Sequence, residues 1–210
     1  MSYEPTTLEY ISAAKDIILA GSAVATALIA YAGLSKWRAE LRGRADFDAA
    51  RAIARAMYKL REALQGARSP LMSHAEFPEG YMEQIEGTPS NDRARALAHA
   101  FEKRWSPVWE AIQELNAATL EGEALWGSEI RERMEALRIC AIELRVAMND
   151  RIEDTAKGGV AARLDPRHDE ATSERLSWGM GSAENQLDIK INSAIHNLEE
   201  ILRPHLVRGR

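Results

Sequence analysis

The sequence is poor in the residues that most often carry catalysis, metal binding or disulfide bonds. Its 210 residues include one cysteine and five histidines, and aromatic residues make up only 6% of the chain. A single cysteine excludes a disulfide within the chain, and the absence of Cys-x-x-Cys pairs excludes common zinc-binding arrangements. Cys140 lies among apolar residues with helical spacing, so we interpret it as a buried, inert thiol. No metal site and no cofactor is predicted.

Motifs for phosphate binding and metal-dependent catalysis are also missing. The chain has no Walker-type glycine loop, no His-Glu-x-x-His and no Glu-x-x-His of the di-iron type. Some all-α nucleases use an arginine and a histidine a few residues apart, and Arg93 and His99 offer this spacing on a predicted helix. Arginine is common in this chain, so the spacing also arises by chance. An all-α nuclease-like toxin or enzyme therefore stays an alternative, and we expect the protein not to be an enzyme.

The charge balance argues against nucleic acid as a partner. The chain has 27 basic and 32 acidic residues, a formal net charge of −5. Proteins that bind nucleic acid usually carry an excess of basic residues that neutralise phosphates. We therefore expect no nucleic-acid partner.

One long run without any charge stands out at residues 17–34. These 18 residues would form about 27 Å of helix, close to the thickness of a thin hydrocarbon core. Acidic residues precede the run, which disfavours a cleaved signal peptide. The run is apolar on all sides, which disfavours the core helix of a soluble protein. We predict one transmembrane helix over residues 17–35, preceded by a short non-cytoplasmic tail, residues 1–16.

Basic residues predict the orientation of this helix. Only Lys15 precedes the span closely, whereas several basic residues follow it, which places the C-terminal side in the cytoplasm. Residues 36–45 therefore form a basic juxtamembrane connector. Five side chains near the span are predicted to contact lipid headgroups: Lys36, Trp37, Arg38, Arg42 and Arg44. A sensor of anionic lipid surfaces is a further functional alternative.

The span contains small residues at the spacing that lets membrane helices approach closely. The residues concerned are Gly21, Ser22, Ala25, Thr26 and Ala30. They predict a helix-packing face for a homo-oligomer or another membrane protein. Alternatively, these residues have no packing role, and alanine is common here only because a membrane anchor needs apolar residues.

Helical periodicity recurs four times beyond the span, in residues 46–65, 91–120, 123–156 and 183–202. No stretch alternates in the manner of a strand. The pattern predicts an all-α protein, in which one N-terminal transmembrane helix is followed by a four-helix antiparallel bundle over residues 46–205. Glycines and prolines predict two long loops, residues 67–90 and 157–182, and the second is expected to be the more mobile.

Two features of the predicted bundle bear on binding. In the third segment, Ile139, Ile142 and Val146 widen the apolar stripe, so this helix is expected to be the most buried. The tryptophans Trp105, Trp109 and Trp126 either fill the core or form an exposed patch that docks a partner. Trp126 is expected to open the third helix.

Several short stretches resemble a family of bacterial single-pass inner-membrane proteins. The stretches are Trp37-Arg38, Phe47-Asp48-x-Ala50-Arg51, Tyr58-x-Leu60-Arg61-Glu62-Ala63, Arg68-Ser69-Pro70, Phe101-Glu102-Lys103-Arg104-Trp105 and Arg203-Pro204. The resemblance implies a short outer tail, one membrane helix and a cytoplasmic helical domain in the inner membrane, and it implies no activity. Together these observations favour a membrane-anchored helical module that binds protein, including copies of itself.

Overall fold

The computed structural model describes residues 7–81, 87–178 and 185–207, and every regular element in these ranges is helical. Some predicted regions lie partly outside the described residues: the outer tail at 1–6, the first loop at 82–86, and the second loop and last helix at 179–184. The helices are α1 (Thr7–Ala67), a 3₁₀ turn (His74–Glu76), α2 (Ser90–Trp126), α3 (Glu129–Ala156), α4 (Val160–Leu164), α5 (Pro166–Leu176) and α6 (Gln186–Leu206).

The chain divides into two compact units, Met1–Ala45 and Asp46–Arg210. The first unit holds the apolar part of α1, where residues 17–34 are all exposed. This N-terminal helix is long and apolar enough to span a membrane. The predicted connector at residues 36–45 is helical, and Gly43 lies within the helix without a break.

The second unit has one apolar core, to which α1, α2, α3 and α6 each contribute a stripe of buried residues. The stripes recur every three or four residues, the spacing at which side chains share one face of a helix. The fully buried members include Ile53, Met57, Leu60, Leu64, Leu115, Leu137, Leu144 and Leu198.

The predicted boundary between the second and third helices is wrong. Helix α2 continues to Trp126 and α3 begins at Glu129, so Trp126 closes α2 instead of opening α3. The reason is Gly127, whose φ of +86° ends the helix in a conformation that other residues rarely adopt. Pro107 lies inside α2, which remains one helix on both sides of it.

The prediction of a loop over residues 157–182 is also wrong, because two short helices lie within it. Asp165 accepts a hydrogen bond from the backbone N–H of His168 and caps α5, and Pro166 occupies its first turn. The last helix ends later than the predicted residue 202, since α6 continues past Pro204 to Leu206. Between the end of α1 at Ala67 and the start of α2 at Ser90, the described residues of the first loop form no regular element apart from the 3₁₀ turn.

The apolar face that α3 buries is narrower than predicted. Ile139, Ile142 and Val146 are 47, 52 and 51% exposed, so they do not join the core. Leu137, Leu144 and their neighbours along the opposite face are buried instead.

Candidate functional site

The three exposed aliphatic residues of α3 form a short line, which we call the α3 stripe (Ile139, Ile142 and Val146). Their spacing of three and four residues places them on one face of the helix. This face points away from the core, in a unit whose other long apolar stripes are buried. These three residues lie outside the core cluster and expose about half of their surface, so the α3 stripe is the leading candidate for a binding surface.

The three predicted docking tryptophans are in different environments. Trp109 is 55% exposed on α2. Trp105 is partly buried, and the guanidinium of Arg145 lies 5.1 Å from its ring centroid. Trp126 stacks on His205 with 4.2 Å between ring centroids, and its Nε1 donates to Asp46 Oδ1 at 3.3 Å. Among the three, Trp109 alone presents most of its ring to solvent.

The two edges of the α3 stripe carry opposite charges. On the edge towards α2, Arg145 forms a 2.9 Å salt bridge with Glu102. On the edge towards α6, Glu143 forms a 2.7 Å salt bridge with Lys190. The heptad-related residues repeat each charge, with Arg138 on the basic edge and Asp150 on the acidic edge.

The nuclease candidates do not form a site together. Arg93 and His99 are both exposed on α2, and a separation of six residues turns their side chains about 120° apart on a helix. The Arg93 guanidinium lies 3.5 Å from Ser90 Oγ, close to the start of the helix. His99 instead lines an open cleft with His74 and Lys103, and Arg93 is not among the cleft residues.

A buried arginine, whose role the sequence pattern does not predict, joins three elements. Arg68 has no exposed surface. Its guanidinium donates to Arg175 O at 2.8 Å, to Ser177 O at 2.7 Å, to Asn185 Oδ1 at 2.9 Å and to the carboxylate of Asp188. The end of α1, the end of α5 and the start of α6 therefore meet at one charge. All three guanidinium nitrogens of Arg68 donate to oxygens of this chain, so we assign this arginine a structural role.

Arg104 has a similar function at the first loop. Its side chain pairs with Glu76 of the 3₁₀ turn and donates to the backbone oxygens of Ser69 and Leu71. The Arg104 hydrogen bond holds the pKa of Glu76 below its usual value. This arrangement fastens the described part of the loop to α2.

The polar residues around α5 line a small cavity of about 180 Å³. Their charges are largely matched within the chain. Arg151 pairs with Asp169 at 2.9 Å, and Asp154 Oδ1 accepts hydrogen bonds from the first turn of α4. No group of three or more metal-ligating side chains occurs among the described residues.

The predicted membrane contacts all lie on exposed parts of α1. Lys36, Trp37, Arg38 and Arg42 are exposed, and Arg44 pairs with Glu40 at 2.7 Å. The small residues of the span are also exposed, and a Cβ added at Gly21 would meet no atom within 4 Å. Thr26 Oγ1 donates to Ser22 O at 2.8 Å, so this hydroxyl is satisfied within the helix.

Comparisons of the chain with family models, with curated proteins and with solved structures gave no match. The resemblance to bacterial single-pass proteins therefore stays a prediction, and the α3 stripe and the apolar helix are the features that bear on function.

Proposed function

We propose that the protein is a membrane-anchored helical interaction module without enzymatic activity. The observation that carries this proposal is the α3 stripe, a line of exposed aliphatic residues on a helix whose opposite face is buried in the core. Partner proteins bind through apolar patches of this kind, because burial of apolar surface drives association. The charged groups around Arg68, Arg104 and the α5 cavity pair with one another within the chain. We therefore assign these three clusters structural roles.

The binding domain is proposed to be a four-helix antiparallel bundle of α2, α3, α6 and residues 46–67 of α1. Side-chain pairs between neighbouring helices support this arrangement. Along α1 and α2, Asp46 pairs with Trp126 and Lys59 with Glu114, so the numbers rise in one helix and fall in the other. The contacts that join α3 to α2 and to α6 run in the same way: Thr119 with Met134, Glu102 with Arg145, Arg133 with the backbone oxygen of Asn197, and Glu143 with Lys190.

The proposed location is a bacterial inner membrane, crossed once, with the N-terminus outside and the domain in the cytoplasm. The exposed apolar helix supports the crossing, and the basic residues that follow it support the orientation. Lys36, Arg38 and Arg42 would then lie among anionic headgroups, with Trp37 at the interface. In this view the lipid contacts position the module and do not constitute a separate sensing function.

The test is the mass and composition of the complex that the tagged, full-length chain forms in gently solubilised membranes. Ile142→Gln places a polar side chain in the middle of the α3 stripe without disturbing the core. Its matched control is Ile189→Gln on α6, where the native side chain is 46% exposed against 52% for Ile142. We expect a complex larger than one chain that Ile142→Gln reduces and Ile189→Gln retains. A single chain in light scattering, unchanged by either variant, would refute the proposal.

A further inference from the structure

We propose that the α3 stripe binds the α3 stripe of a second copy of this chain, with the two helices parallel and in register. This inference rests on the proposed function and names the partner of the same surface. Three features support it: the spacing of the stripe, the charges along its edges and the proposed membrane anchor of each chain.

The spacing of the stripe is that of a coiled-coil seam. Ile139, Ile142 and Val146 are three and four residues apart, which corresponds to positions a and d of one heptad and position a of the next. In a parallel pair in register, each of these residues packs beside its own copy. Ile and Val at position a and Ile at position d fill such a seam with aliphatic surface.

The charges at the edges match in a parallel pair. Arg138 and Arg145 occupy position g, and the residues five places further on, Glu143 and Asp150, occupy position e. A g side chain faces the e′ side chain of the following heptad in the partner helix, so both arginines meet carboxylates. All four side chains are between 26 and 43% exposed and remain within reach of a partner. An antiparallel pair would instead place basic edge against basic edge.

These four side chains already form ion pairs within the chain. Exchanging those pairs for ion pairs with a second copy costs little free energy. Arg138 pairs with Glu135 at 3.0 Å, one turn away on the same helix, and Arg145 pairs with an exposed Glu102. Exposed ion pairs contribute at most about 1 kcal/mol. The intramolecular ion pairs therefore do not prevent association.

The stripe is short, and its length determines how strong the contact is. Polar residues occupy the flanking seam positions, with Glu135 before the stripe and Asn149 after it. One heptad buries less surface than a stable soluble dimer needs. Two copies anchored in one membrane share an orientation and a high local concentration, so a contact that is weak in solution suffices there.

The experiment is oxidative cross-linking of the full-length chain in membranes, with Cys140→Ala to remove the native thiol. Single cysteines are placed at positions 139, 142 and 146, with Ile189→Cys as the equally exposed control. A parallel pair in register gives a dimer with each of the three cysteines and at most background with the control. Dimers from position 142 alone, combined with mixed dimers between 139 and 146, would indicate an antiparallel pair. That pattern, or no dimer above the control, would overturn the proposal.

Charge reversal provides the second test. In the Ile142→Cys chain, Arg138→Glu should lower the dimer yield about fivefold, and adding Glu143→Arg should restore it. The matched control is Arg131→Glu, one heptad earlier, where the facing e′ position is Ala136 and no loss is expected. A lack of rescue, or an equal loss with the control, would contradict the register.

Failure of this inference is distinguishable from failure of the proposed function. Absence of cross-links would reject the second copy as partner. If Ile142→Gln still released a different subunit from the purified complex, the interaction module itself would stand.

Discussion

Arg68 has no exposed surface, and its guanidinium donates to two backbone oxygens and two side chains. Five N–H groups in a planar fork suit such a site, whereas the three donors of a lysine would leave acceptors unsatisfied. Buried charges persist only when paired and hydrogen-bonded, and Asp188 supplies the opposite charge. The stability of the junction between α1, α5 and α6 therefore depends on one side chain.

Removing this side chain should destabilise the domain strongly. We expect Arg68→Ala to lower the free energy of unfolding by about 3–5 kcal/mol, because the Asp188 carboxylate loses its charged partner and three other acceptors each lose one of their donors. The control is Arg95→Ala, which removes an exposed pair with Asp92 and should cost less than about 1 kcal/mol. Thermal and urea unfolding of the full-length chain, followed by tryptophan fluorescence, measures both. Equal stability of the two variants would contradict a structural role for Arg68.

Cys140 should react only at high pH. Burial raises the pKa of its thiol to about 11, so about one molecule in a thousand carries the thiolate at pH 8. Alkylation of the folded chain should therefore be slow at pH 8 and accelerate about tenfold per pH unit towards pH 11. Mass spectrometry after iodoacetamide treatment measures the rate, with the urea-unfolded chain as the fast reference. Rapid labelling of the folded chain at pH 7 would refute burial of this thiol.

The contact between Glu76 and Arg104 should weaken in acid. The Arg104 hydrogen bond lowers the pKa of Glu76 below 4.5, so the folded state favours the ionised carboxylate. The contribution of this contact to stability is then present above pH 4.5 and is lost as the pH falls through the lowered pKa. Unfolding of the wild type and Glu76→Gln between pH 2.5 and 7 tests this. The wild type should be the more stable near pH 6, and the difference should shrink below pH 4.5. A constant difference would show that ionisation of Glu76 contributes nothing.

Among the elements, the close approach of α1 and α2 depends on Gly122. A Cβ built at Gly122 would lie 2.7 Å from Ile53 Cδ1 and 3.1 Å from the Trp126 ring, and Ile53 is itself fully buried. Gly66 is also helical, but a Cβ there meets nothing within 4 Å. Two glycines in helices of the same domain thus differ in the space beside them.

Alanine at these two glycines should have opposite effects. Gly66→Ala should stabilise the chain by about 0.5–1 kcal/mol, since alanine favours helix and restricts the unfolded chain. Gly122→Ala should destabilise it by about 1–3 kcal/mol, because the methyl group overpacks the contact between helices. The double variant Gly122→Ala with Ile53→Val should recover part of that loss. A gain in stability for both single variants would show that α1 and α2 separate easily.

The helices that the sequence predicts well are those whose apolar residues recur over many turns. The stripe of Phe101, Val108, Ile112 and Leu115 identifies α2 despite Pro107, because a proline removes one hydrogen bond but not the periodic burial around it. Helices α4 and α5 are short and bury little, so their periodic signal is too weak to read, although Asp165-Pro166 is a typical helix start.

The candidate site is where sequence reasoning fails for a physical reason. Periodicity reports that Ile139, Ile142 and Val146 are apolar, and it does not report which surface covers them. A side chain in the core and a side chain in an interface have the same chemistry. Arg68 is the reverse case, because a lone arginine after a helix resembles a solvated surface charge until its acceptors on Arg175, Asn185 and Asp188 are placed around it.

For the whole molecule, the basic residues after the span should control the orientation. Replacing Lys36, Arg38, Arg42 and Arg44 together with glutamine should increase the fraction of chains that place the domain outside. The control replaces four arginines far from the span, Arg131, Arg133, Arg163 and Arg167. Protease protection in intact spheroplasts and in inverted vesicles measures which side is accessible. Orientation unaffected by the first set would contradict the proposed topology.

The arginine junction also has a consequence for synthesis of the chain. Arg68 is separated from Asp188 by 120 residues, which a ribosome adds in about 6–24 s at 5–20 residues per second. During this interval the apolar segment of α1 has already left the ribosome, whereas the acceptors of the Arg68 guanidinium have not yet been synthesised. The junction can form only after Asp188 has been made, so we expect a nascent chain halted before Asn185 to leave part of the core exposed to chaperones and proteases.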